Sequence, residues 1–318
     1  MAMSASDPMS PKGTVRPPRV RVLLASRNGA ASIERQLASV LAQVDVEVLV
    51  DVRDDGSTDR TRELVQALAA ADPRVRLLED HAPTGSAAGN FFALVRNAST
   101  DDVDFVAFCD QDDEWFAHKL ARAAERMRAT ASSGYSAASL ARWADGRERL
   151  LAQDPHVRYA DHLFEGAGQG CTFVFDAGLF ARLRADVLRH ADLLPGVHYH
   201  DWSLFALARA SGARWHFDAE PTMFYEQHGG NDTGARSSGD GISRRLALIR
   251  QGWYRAQVQA VTRLVLACIP DHPPAQAWVR LSGSSGSRLR RAWFVARHGR
   301  RRAADRLVQV VAAMLGYL

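Results

Sequence analysis

An α/β fold built on a mostly parallel, doubly wound sheet is predicted by two features of this chain: short Val- and Leu-rich runs alternate with helical patterns, and polar loops close those runs. Its 318 residues suffice for one large core or for a core with an appendage, and 47% hydrophobic with 24% charged content excludes wholesale disorder or a fibrous repeat. The first strand is expected at Arg19 to Ala25 (RVRVLLA), followed by the polar turn Ser26-Arg27-Asn28-Gly29 and a helix whose apolar face carries Ile33, Leu37, Val40 and Leu41. Val46 to Val52 is the second strand. It runs into Asp54-Asp55-Gly56-Ser57-Thr58-Asp59, where Asp, Ser and Thr suit the cap of a helix starting near Asp59. Val75 to Leu78 is a third strand, Asn90 to Asn97 a helix, and Asp104 to Cys109 a fourth strand. Further helices are expected after Glu114 toward Thr130, near Ala177 to His190 and from Trp202 to Ala210, with a less regular stretch at Gly166 to Phe175.

Residues 1–18, rich in Met, Ser and Pro, read as a disordered lead-in without the apolar core of a signal peptide. Residues 19–240 form the sheet domain, and the Gly- and Ser-bearing stretch 234–243 reads as a hinge into a basic helical region, 241–318. That region holds fourteen Arg against two Asp. It ends in the apolar surface of Leu307, Val308, Val310, Val311, Met314, Leu315 and Leu318, suited either to packing on the main domain or to lying on a membrane. No run approaches the ~20 apolar residues of a spanning helix. The three cysteines, Cys109, Cys171 and Cys268, are scattered and lack a C-x-x-C pair, which points to free thiols in a reducing compartment. The expected place is the cytoplasm, in peripheral contact with the inner face of a membrane. Nucleic acid is not an expected partner, because the Arg-rich tail lacks interleaved aromatic platforms and a groove-reading motif.

Chemistry concentrates where the strands end, the edge at which open α/β sheets bind ligands. Asp110, Asp112, Asp113 and Glu114 follow the apolar strand so closely that they cannot all be buried without strong repulsion. A hard divalent cation, Mg²⁺ or Mn²⁺, would relieve that repulsion, since such ions take one or two carboxylates plus substrate phosphates. A solvated acidic turn capping the next helix is the simpler alternative. The Asp54 to Asp59 segment likewise reads either as a ligand loop or as a turn with a cap.

The segment FVAFCDQDDEWFAHKL resembles the donor site of family 2 glycosyltransferases, whose GT-A fold carries an Asp-x-Asp metal motif. The likeness extends over roughly residues 19 to 235. Arg21 to Gln36 resembles the family's first strand and helix, VRDDGSTD its nucleotide turn, and GSAAGNF, with Asn90, the loop before the donor strand. GCTFVF, HDWSLF and YEQHGGN resemble later blocks of a rhamnosyltransferase-like branch.

The resemblance implies a GT-A type, Rossmann-like sheet flanked by helices and a role for each matching residue. Asp54 would accept a hydrogen bond from the nucleotide base, with Ser26, Arg27 and Asn28 along the nucleotide, Asp55 supporting the turn, and Asn90 and Gln111 on the donor side. Arg27 stands where the family has Tyr, and its guanidinium can also stack on a base. Asp110 would contact the ribose or sugar, Asp112 and Asp113 would hold the cation, and His228 would close the diphosphate site. Lys119, one of two lysines in the chain, reads as a helix-surface residue. Asp201 is the expected base, because transfer to a hydroxyl needs a carboxylate to take the acceptor proton. His200 would tune it, Trp202 would offer a sugar-stacking face or be core, and Gln169, Cys171 and Thr172 would line the acceptor wall.

The implied reaction is inverting transfer of a sugar, rhamnose on resemblance, from a UDP- or dTDP-linked donor to a hydroxyl of a glycan or lipid-linked acceptor. A sugar nucleotidyltransferase is the enzymatic alternative, but SRNGAASIERQL has neither the glycine run nor the lysine that a triphosphate calls for. The other alternative is a noncatalytic relative serving as a scaffold or sugar-binding module. Asp112 and Asp201 occurring together speak against it.

Overall fold

In the computed structural model, residues 16–80, 82–227, 247–283 and 287–318 are described. Nine strands form one sheet: β1 (Arg19–Ser26), β2 (Glu47–Asp54), β3 (Val75–Leu77), β4 (Phe105–Cys109), β5 (Glu114–Trp115), β6 (Gly134–Trp143), β7 (Glu148–Leu151), β8 (Val174–Asp176) and β9 (Trp215–Gln227). Their order is β3-β2-β1-β4-β8-β6-β9-β5, with β7 paired to β6. The first four are parallel, as the alternating pattern predicts, while β8 joins antiparallel to both β4 and β6, and β9 returns parallel to β6.

Strand β1 is apolar almost throughout because both of its faces are covered. Leu23 and Ala25 pack into the core on one side, and Val20, Val22 and Leu24 into the core on the other. The second side is closed by α1 (Ile33–Leu41), α2 (Thr61–Ala71) and α4 (Lys119–Thr130), which bury Ile33, Leu37, Val65, Leu120 and Met127 there. The first side is closed by α3 (Ala87–Asn97), α5 (Ala177–Arg189) and α6 (His200–Ala210).

Four more helices, α7 (Trp253–Cys268), α8 (Pro273–Gly283), α9 (Arg288–His298) and α10 (Ala303–Leu315), extend the core on that first side. Tyr254 stacks beside Trp202 with ring centroids 6.1 Å apart, and its hydroxyl donates to the Phe164 carbonyl at 2.8 Å. Trp278 meets Phe164 edge-on at 4.9 Å. The C-terminal helices therefore pack on the sheet domain, while the expected boundary near residue 240 lies outside the described residues.

Candidate active site

The ends of β1 and β2 carry the first two polar loops side by side. Asn28 adopts a left-handed φ of 50°, which Asn tolerates better than most side chains, and its Oδ1 accepts from the Thr58 N–H at 2.8 Å. The Asn28 N–H in turn donates to the Ser57 hydroxyl at 2.8 Å, so the two loops are tied together. Asp54 is buried and accepts from Ser57 through both its N–H and its hydroxyl. Gly56 turns the chain with φ of 73°, and a Cβ there would lie 2.7 Å from Pro83 Cγ.

Beneath these loops sits Arg53, a buried residue whose importance the sequence pattern did not reveal. Its guanidinium pairs with buried Asp55 at 2.7 Å, donates to Asn90 Oδ1 at 3.0 Å and to the Ala82 carbonyl at 2.8 Å, and reaches Asp80 at 3.3 Å. Asn90 passes the network on by donating to the carbonyl of buried Ser26 at 3.2 Å. Asp55 also accepts from the Thr84 N–H at 2.9 Å. Asp55 and Asn90 thus tie the loops together from below. Gln111 does so from the β4 side: it accepts from the Arg27 N–H at 2.7 Å and donates to the Arg27 carbonyl at 2.9 Å. Gly29 leaves room for this side chain, since a Cβ there would lie 2.3 Å from Gln111 Oε1 and would displace it.

The acidic run divides into separate environments. Glu114 belongs to β5 and pairs with Arg142 at 2.6 Å, and so stands apart from the other three acids. Asp113 is fully buried, and the neighbouring Cys171 thiol is the one polar group its carboxyl meets among the described residues. Burial, then the charges of Asp110 and Asp112, push its pKa well above the usual carboxylate range. Asp110 is only partly buried, and burial followed by Asp112 raises its pKa to about 7. Oxygens of Asp110 and Asp113 and the Cys171 sulfur all lie within 4.8 Å of one another. Asp110 and Asp113, beside the Cys171 sulfur, offer converging carboxylate oxygens that fit a hard divalent cation, whereas Asp112, expected as a ligand, is outside that converging set and acts on both through its charge.

Lys119 is a correction to the sequence reading. The first residue of α4 is only 2% exposed; its Nζ donates to the Cys171 carbonyl at 2.9 Å and lies 4.4 Å from the Trp115 ring centroid. Burial pulls its pKa down, while nearby acidic groups including Asp113 and Asp110 hold it up. A buried ammonium thus underlies the acidic cluster.

The turn Gly170–Thr172 connects that cluster to Asp201. Asp201 stands in the first turn of α6, where Trp202 N–H donates to its Oδ1 at 2.6 Å. Burial raises its pKa to about 6 against the backbone donors of Trp202 and Gly170, and its charge is among those that raise the pKa of Asp110. Asp201 is thus near enough to Asp110 for its charge to be felt there, with Gly170 packed against Asp201 and the next residue, Cys171, in the acidic cluster. A Cβ on Gly170 would lie 3.0 Å from Asp201 Cβ and 2.9 Å from His200 Nε2.

Several residues expected on the acceptor wall are interior. Cys171 is buried with its thiol in the acidic cluster, and Thr172 is buried with its hydroxyl bonded to the Gln169 carbonyl at 2.7 Å. Trp202 is core, its indole N–H spent on the His162 carbonyl at 2.9 Å, so it presents no ring face to a sugar. His200 stacks on Phe91 at 3.9 Å, and burial lowers its pKa to about 3, leaving a neutral ring next to Asp201 in the chain. Gln169 is half-buried, with an Oε1 that has no partner among the described residues. His228 lies outside the described residues.

The family model for glycosyl transferase family 2 matches residues 22–190, which span every one of these loops except that of Asp201. This chain belongs to that family. Within family 2, the chain is 31% identical over 239 residues to the dTDP-rhamnosyl transferase RfbG of Shigella flexneri, covering 75% of this chain and 83% of that protein. It is 34% identical over 101 residues to the UDP-Glc:alpha-D-GlcNAc-diphosphoundecaprenol beta-1,3-glucosyltransferase WfgD of Escherichia coli, over 32% of this chain and 38% of WfgD. Among solved structures, S. aureus TarS 1-349 superposes with a TM-score of 0.53 at 15% identity, over 93% of this chain and 81% of TarS, which establishes a shared fold. The chain is a family 2 glycosyltransferase, rhamnosyltransferase-like in its relatives.

Proposed function

We propose that this enzyme transfers a hexose, rhamnose in our reading, with inversion from a UDP- or dTDP-linked donor to a hydroxyl of a glycan or lipid-linked acceptor. Asp201 is the general base: it takes the acceptor proton as the acceptor oxygen bonds to the anomeric carbon and the bond from that carbon to the diphosphate breaks. Asp54, Ser26, Arg27 and Asn28 bind the nucleoside, Asp110 orients the ribose or sugar, and Gln111, Asp55, Asn90 and Arg53 keep these loops in register. Asp110 and Asp113, beside the charge of Asp112, would hold a divalent cation, Mg²⁺ or Mn²⁺, that offsets the charge of the departing diphosphate. Gln169 faces the acceptor side, and His200 keeps the Asp201 environment apolar.

The observation that supports this reading is the proximity of Asp201 to Asp110, whose pKa its charge helps to raise, with Gly170 packed against Asp201 and Cys171 lying in the acidic cluster. Similarity to RfbG over most of both chains favours a deoxythymidine-linked rhamnose donor. A panel of nucleotide sugars, scored for release of nucleoside diphosphate with and without EDTA, tests it. Release should require one donor, an added divalent cation and Asp201. Turnover that survives both EDTA and Asp201→Asn would remove the reading.

A further inference from the structure

Helix α10 is turned inside out. Its polar Gln309 is 1% exposed, accepting from the Arg300 N–H at 3.0 Å, whereas Leu307 is 65% and Leu315 59% exposed. Ala304, Leu307, Val308, Val311, Met314 and Leu315 all face solvent, at the three- and four-residue spacing of one helical face. Surface helices of soluble proteins turn such a face inward, so this one is built to meet something apolar.

Helix α9 packs against α10 and adds Leu289 and Trp293, 76% and 62% exposed, one helical turn apart. Exposed Arg290 and Arg297 stand beside them, with the Arg297 guanidinium 5.8 Å from the Trp293 ring centroid. Of the eight Arg in residues 287–318, Arg288, Arg290, Arg297 and Arg302 are exposed, while Arg301 is buried against Asp161 and Arg300 pairs with Glu165. An apolar face with Trp at its margin and arginines around it matches the boundary between acyl chains and anionic headgroups. The same charge disfavours pairing with a second copy of this face, which would bring two arginine sets together. At 13 residues α10 spans about 20 Å, short of the ~30 Å hydrocarbon core, so it would lie in the plane of the surface.

We infer that α9 and α10 dock the enzyme on an anionic lipid bilayer through Leu289, Trp293, Leu307, Val311 and Leu315. The junction between the two helices grips the acceptor side of the site: Arg301 pairs with buried Asp161 at 3.0 Å and donates to the Gly166 carbonyl at 2.6 Å. Gly166 in turn abuts the Trp202 backbone, where a Cβ would lie 3.3 Å from Trp202 Cα. Docking therefore ties the segment packed against the Asp201–Trp202 backbone to the bilayer, where acceptors carried by a lipid reside. The acceptor clause rests on the proposed transfer reaction; the docking itself does not.

The full chain is mixed with phosphatidylcholine vesicles prepared with and without phosphatidylglycerol, and bound protein is read by flotation. Binding should be at least about tenfold tighter with phosphatidylglycerol. It should fall at least about tenfold in Leu307→Glu/Leu315→Glu, whose melting temperature matches the parent. Arg290→Glu/Arg297→Glu should lose the preference for phosphatidylglycerol and keep the fold. Equal binding to both vesicle types overturns the inference. So does unchanged binding by the leucine variant, or a dimer dissolved by that variant with no vesicle binding by the parent. Flotation needs no donor turnover, so failure of the transfer reaction and failure of docking are separately visible.

Discussion

At the scale of single residues, Asp201 joins two opposed demands. A base must be ionised to accept a proton, yet burial raises its pKa to about 6. Asp201→Asn should lower kcat by about 10²–10⁴ with donor KM unchanged, measured by steady-state release of nucleoside diphosphate. In the parent, kcat should climb as pH rises through about 6 and level off above it. Stability moves the other way: a folded pKa raised above that of an exposed Asp contributes stability that is complete below the ordinary carboxylate range and lost as pH rises through about 6. Asp201→Asn should therefore melt at a higher temperature than the parent at pH 7.5, and that advantage should vanish near pH 3. Arg53 has no such conflict. Arg53→Ala leaves Asp55 buried without its cation and should cost about 3–5 kcal/mol in urea unfolding. The acidic run was legible as acids directly after an apolar strand, but its division into a buried Asp113, a partly buried Asp110 and a Glu114 paired with Arg142 was not. Arg53 and Lys119 were not, because nothing local in VRDDG or HKL tells of burial; Asn90, Cys171 and Met223, distant along the chain, enclose them.

At the scale of elements, the parallel strands and their helices could be read because each carries a clean period. The strands β6 and β9 could not. Gly134–Trp143 is small and partly polar (GYSAASLARW), with Ser136 and Ser139 buried, and Trp215–Gln227 is interrupted by Asp218 and Pro221. Their pairing shifts register between Ala137 and Ala138 and again before Leu140, which erases simple alternation. The short turn Gly170–Thr172 was visible as an irregular stretch, but its position between the two acidic groups emerges only in three dimensions. Gly170→Ala should drive a methyl against His200 and Asp201 and lower kcat about 100-fold, with a small change in melting temperature, read by kinetics and calorimetry side by side.

At the scale of the whole molecule, the C-terminal helices are a structural part of the enzyme. They bury Tyr254, Trp278 and Phe294 in the same core as Trp202 and Phe164. Chains ending before residue 247 should expose that surface and aggregate, as size-exclusion chromatography would register. Arg301→Met should cost about 2–4 kcal/mol by removing the 3.0 Å partner of buried Asp161, which keeps only longer contacts to His162 at 3.7 Å and Arg209 at 3.9 Å, and should speed amide exchange across residues 160–166. The basic character of this region was plain from its arginines, whereas its division into an inner and an outer face was not. The seclusion of Lys119 has a practical outcome as well. The chain has one other lysine, Lys12, which precedes the first described residue. Amine-acylating reagents should therefore leave the folded enzyme almost untouched beyond its N-terminal stretch, and mass spectrometry of acylated Lys119 would serve as a clock for the opening of its interior.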